Sequence, residues 1–144
     1  MEKWNVITKR VDVLPMVKHY IDQLGIYGLF SRYVKKPERS PVDPAQILSV
    51  LVANIVCASQ PLYKIEQWAT EYMDGLSEYG LNASIYNDDQ IAKNLDWLFK
   101  ADRNSFMSEL TANAIWVYLL ETKQIHNDST SVTFTGAYEN QHPR

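Results

Sequence analysis

Hydrophobic positions fall at helical spacing along most of this chain and then cease to do so near residue 123. Leu14, Val17, Ile21 and Leu24 recur every three or four residues, which puts them on one face of a helix. Pro15 suits the first turn of that helix and Gly25 its C-terminal cap. A short second helix is predicted over about 26–34, closed by the proline-containing segment 35–43. Asp43-Pro44-Ala45-Gln46 then reads as a helix start: Asp43 caps, Pro44 takes the first helical position, and Gln46 can reach back as in a capping box. The helix that follows, to about Ser59, is apolar on nearly every side, so its expected place is the centre of the core. Gln60-Pro61 breaks it, and a fourth helix carries Leu62, Ile65, Ala69 and Tyr72 in one stripe.

A looser, glycine-containing connection over 75–86 leads to Asn87-Asp88-Asp89-Gln90, a second capping-box pattern. Ile91, Leu95, Leu98 and Phe99 mark the expected buried face of that helix. A last long helix, from Ala101-Asp102 to about Thr122, is expected to bury Phe106, Leu110, Ala114 and Val117. Beyond Lys123 the β-branched run with Val132 and Phe134 favours extended chain, with Gly136 ending it. The predicted fold is therefore all-α: a bundle of about six helices over 1–123, then a short extended tail over 124–144.

Composition narrows the class. A chain of 144 residues with 46% hydrophobic and 22% charged content fits one globular domain and argues against disorder. At this size roughly two-thirds of the unfolded surface can be buried. Cys57 is the sole cysteine, which excludes an internal disulfide and fits a reducing compartment. Met1–Arg10 lacks the continuous apolar centre of a signal peptide. The longest apolar run, Ile47–Ala58, is interrupted by Ser49 and Asn54 and falls short of the ~20 residues that span a bilayer. The expected location is the cytoplasm, with no membrane contact. A net charge of −3 weighs against the whole surface binding nucleic acid and leaves room only for a local basic patch.

That patch is Arg32, Lys35, Lys36 and Arg39, the one basic cluster, which could touch phosphates or simply be a solvated loop. The helix pair broken at Gln60-Pro61 has the outline of a helix-turn-helix. Its second helix carries Glu66, Glu71 and Asp74 and few cations, unlike a major-groove reader. Asp88 and Asp89 are neighbours on a helix and diverge by about 100°, so they suit the positive end of a helix dipole better than one metal ion. His126 lies two residues from Asp128 but has no third ligand in register. Trp4, Trp68, Trp97 and Trp116 sit on separate segments, which suits core and subunit-contact roles. Asp128, set within the β-branched run, is by spacing alone an ordinary strand-end or turn carboxylate.

A resemblance changes that weighting. Asp128-Ser129-Thr130-Ser131 with Gly136 and Tyr138 resembles the stretch that opens the catalytic core of DDE transposases of bacterial insertion sequences. Asn87-Asp88-Asp89-Gln90 with Leu95-Asp96-Trp97-Leu98, Leu14-Pro15 with Leu24-Gly25-Ile26, and Gln60-Pro61-Leu62-Tyr63 are similar, in order, to the helical region that precedes that core. Asn127 and Ala137 depart from the pattern, replacing an apolar strand residue and an acid. The resemblance implies that Asp128 is the first acid of the catalytic triad and a Mg²⁺ ligand in a complete RNase H-like core. The second Asp and the Glu would fall beyond Arg144, so the chain is expected to need no cofactor and to be inactive alone. The implied partners are transposon-end DNA and a second protomer or full-length transposase. The competing expectation is a non-enzymatic interaction module that self-associates or regulates the full-length enzyme.

Overall fold

The computed structural model describes residues 11–38, 40, 42–72 and 86–123, and among these six α-helices and one 3-10 turn build an all-α fold. The helices are α1 (Leu14–Gln23), α2 (Ile26–Tyr33), α3 (Pro44–Cys57), α4 (Ile65–Glu71), α5 (Asp88–Lys100) and α6 (Arg103–Tyr118). The 3-10 turn, Leu62–Lys64, runs directly into α4. No strand occurs among the described residues. The predicted tail over 124–144, with Asp128, lies outside them, as does Arg39.

α3 occupies the centre, and the reason is in its composition. Ala45, Ile47, Leu48, Val50, Leu51 and Ala53 are all buried, and they point to more than one side of the helix. α1 and α2 pack against it through Leu14, Val17, Ile21, Leu29 and Phe30, and α5 through Ile91. Each fully buried aliphatic side chain contributes about 1.5–3 kcal/mol. Ser49 and Asn54 are carried into the same interior, and neither Asn54 amide atom has a hydrogen-bond partner among the described residues.

Local chemistry sets the helix ends. Gly25 adopts φ +66, the left-handed conformation that closes α1 and opens α2. The Asn113 amide donates to the Leu24 carbonyl at 3.1 Å, so α6 holds this turn. Asp43 caps α3 by accepting from the Ala45 N–H at 3.1 Å. Its second oxygen accepts the Tyr27 hydroxyl at 2.6 Å, and that bond pushes the Tyr27 pKa up. Among the described residues Gln46 makes no reciprocal side-chain bond, so only the Asp43 half of the predicted box forms, while Tyr27 of α2 engages the other carboxylate oxygen. Asn87 caps α5 through the Gln90 N–H at 2.9 Å, and Asp88 and Asp89 lie exposed in its first turn.

Two buried faces differ from expectation. On α5, Ile91 and Asn94 are buried, whereas Phe99 is 67% exposed, its ring covered by the Arg103 guanidinium at 4.5 Å. On α6 only Phe106 is buried; Val117 is exposed, and the helix ends at Tyr118 instead of Thr122. The apolar residues of α6 encircle the helix, so spacing could not say which of them would meet a neighbour. Among the described residues no single helix is long and apolar enough to cross a membrane.

Candidate nucleic-acid interface

α2 ends in Arg32 and Tyr33, and Val34 then turns into an extended conformation with its side chain buried. That anchored residue sends the chain out again at Lys35 and Lys36, both exposed. Opposite them, α5 ends at Lys100 and the chain reverses through Ala101-Asp102 into α6. Asp102 fixes this reversal. Its carboxylate accepts from the Ser105 N–H at 3.1 Å and the Ser105 hydroxyl at 2.6 Å, which holds its pKa below the usual carboxylate range.

α6 is fastened to α2 across this junction. Phe106 stacks on Phe30 with ring centroids 5.1 Å apart and meets Tyr33 edge-on at 5.9 Å. Glu109 accepts the Tyr33 hydroxyl at 2.8 Å and also pairs with the Arg32 guanidinium. These two bonds, Tyr33 first and Arg32 second, hold the Glu109 carboxyl below its ordinary value. The same hydroxyl bond raises the Tyr33 pKa.

Between the two walls lies a cleft of about 500 Å³, lined by Arg32, Tyr33, Lys35, Trp97, Lys100, Ala101 and Asp102. Its chemistry is that of an anion site with an aromatic floor. Lys35 and Lys100 have no ion-pair partner among the described residues, whereas Arg32 is already paired with Glu109. Asp102 is the one acid in the lining and offsets one lysine. Trp97 and Tyr33 offer ring surface between the cations, the combination that tracks a phosphate backbone.

Of the predicted basic cluster, the structure brings Arg32 and Lys35 into this cleft. Lys36 is exposed and does not line it, and Arg39 lies outside the described residues. Lys100 and Trp97 complete the cleft, and no local pattern pointed to them. Lys100 closes an amphipathic helix at a break, and Trp97 sits three residues before it; only the docking of α6 on α2 brings them to Lys35. Trp68 is buried and Trp116 is 82% exposed. Trp4 lies outside the described residues.

The other expectations divide in the same way. α3 and the segment 62–71 cross at 99°, the angle of a helix-turn-helix, but α4 has only seven residues and exposes Glu66 and Glu71. Among the described residues no three His, Cys, Asp or Glu side chains converge as a metal site would require. Cys57 is half-buried, and burial pushes its thiol pKa up.

No curated protein and no solved structure matches the chain. A family model does match, over residues 6–112, which takes in α1 to α5, both walls of the cleft and most of α6. The chain therefore belongs to the family described as a domain of unknown function, DUF4277.

Proposed function

We propose that this chain is the helical N-terminal part of an insertion-sequence transposase and that its contribution is contact with transposon-end DNA through the Lys35–Trp97–Lys100 cleft. The observation that carries the reading is a cleft that gathers Lys35 and Lys100, neither of them ion-paired among the described residues, over an aromatic floor with a single offsetting acid, in a protein of net charge −3. Such a surface confines DNA to one place, because the rest of the molecule repels it. The contacts are to phosphate, so they position the domain on DNA and do not read sequence.

The Mg²⁺ chemistry of a complete transposase asks for more carboxylates than this reading gives the chain. The resemblance assigns it one, Asp128, and two hard cations need several oxygen ligands. The domain is accordingly read as a binding unit of the transposition machinery. A Mg²⁺-dependent strand-cleavage assay on a matching terminal repeat should show no cutting by the purified chain; robust cutting overturns that part of the reading.

Binding is tested by titrating labelled terminal-repeat duplex at two salt concentrations against the wild type and Lys35→Glu/Lys100→Glu. Affinity should fall steeply with salt in the wild type, and the double variant should bind too weakly to measure. Absence of binding at low salt, or binding indifferent to both lysines, overturns it.

A further inference from the structure

The end of α6 presents apolar side chains to solvent. Trp116 is 82% and Leu119 is 87% exposed, and Leu120 is half exposed beside them. Leu119 is also held at φ +50, a backbone conformation that L side chains rarely adopt, with the Leu120 N–H donating back to the Ile115 carbonyl at 3.1 Å. Glycine is the usual occupant of such a position; here a leucine is fixed there and aimed outward.

A complementary feature lies on the same surface. Between α1 and α3 is an apolar hollow of about 160 Å³, walled by Val17, Tyr20, Leu24, Val52 and Val56 among others, with no polar atom facing into it. That is comparable to the ~150 Å³ cavities that accept a benzene ring, so it has room for one leucine-sized side chain or an aromatic ring. The hollow and the tip are continuous. The Tyr20 ring on the rim lies 6.3 Å from the ring of Tyr118, which immediately precedes Leu119.

We propose that this surface pairs two copies of the chain about a twofold axis, the α6 tip of each copy, Leu119 foremost, seating in the α1–α3 hollow of the other. A surface that carries both a projecting apolar tip and an apolar hollow is self-complementary, which is what an isologous interface requires. The area agrees. Met16, Tyr20, Val56, Leu119 and Leu120, at roughly 200 Å² for each fully exposed large side chain, leave on the order of 600 Å² uncovered. That is at the top of what a monomer usually exposes in one patch, about 300–600 Å². It falls within the ~600–1,000 Å² each partner buries in a standard interface. The pairing does not depend on the DNA reading, since the cleft has different residues and opposite chemistry.

The test is sedimentation velocity on the whole chain over a wide range of concentration, for the wild type, Leu119→Asp and Val56→Lys, whose charges are opposite where both meet in a mixed dimer. Both substituted positions are exposed, and circular dichroism checks that the helices persist. The wild type should form a dimer that added salt does not dissolve. Each variant should weaken self-association by about 30-fold or more, the effect of losing a central contact. Mixing the two variants should recover dimer, because one unaltered tip then meets one unaltered hollow. A wild type that stays monomeric, a dimer indifferent to both substitutions, or a mixture that recovers nothing overturns the proposal.

Discussion

α3 and α6 are the two longest helices of the described residues, both largely apolar, and they end in opposite situations. α3 is enclosed by α1, α2 and α5 and buries nine of its side chains. α6 meets the rest of the protein along a narrow line, with Phe106 its only buried residue. Apolar content alone therefore does not place a helix inside. The number of neighbours with matching faces decides, and α6 has chiefly α2 to lean on. What α6 has in compensation is specific: one stacked ring, one shared carboxylate and one amide on the Leu24 carbonyl.

The largest test of this contrast is a pair of truncations followed by urea denaturation. Leu48→Ala in α3 should cost about 2–5 kcal/mol, and Phe106→Ala about 3–5 kcal/mol, as deep core sites do. If Phe106→Ala costs no more than a surface change, α6 is not anchored as described.

Asp43→Ala removes both the α3 cap and the acceptor of the Tyr27 hydroxyl. A loss of about 0.5–2 kcal/mol is expected, measured as a shift of the denaturation midpoint. Tyr27→Phe alone should lose only part of it, because the Ala45 N–H remains capped.

Glu109 gives a test by pH. Its folded carboxyl is depressed relative to an unfolded value of about 4.5, so its contribution is present above that value and is lost as pH falls through the folded value. Wild type should be more stable than Glu109→Gln at pH 7. The gap should narrow on titration below about pH 4.5 and close at lower pH. A gap independent of pH would remove Glu109 as the fastening of α6.

The smallest effect belongs to Val117→Ala. The side chain is exposed on the far half of α6, so stability of the monomer should change by less than about 0.5 kcal/mol. A loss of core magnitude would place a covering element over that half.

The same two helices show what was legible in the sequence. α1 to α3 could be drawn closely because Leu14, Val17 and Ile21 alternate with polar residues and because Gly25, Asp43 and Pro44 carry end-signals in their own chemistry. α5 was legible at its start, where Asn87 caps, and less so at its end, where Phe99 follows the apolar spacing yet faces Arg103 and solvent. On α6 spacing had no purchase, since apolar residues occur on every side. Half of the cleft, Arg32 and Lys35, was visible as a local basic cluster. Lys100 and Trp97 were not, because their nearness to Lys35 follows from the packing of α6 on α2, which lies beyond the reach of neighbouring residues in sequence.

The carboxylate of Glu109 also has a consequence for whatever visits the cleft. Arg32 is the strongest phosphate-gripping side chain there, and it is already held by an internal anion. A phosphodiester of the kind proposed above would have to compete with that resident for the guanidinium. Neutralising the resident, by acid or by Glu109→Gln, would release the guanidinium to the visitor while loosening the joint between α2 and α6. Grip on the ligand and rigidity of the scaffold are thus set against each other through one side chain.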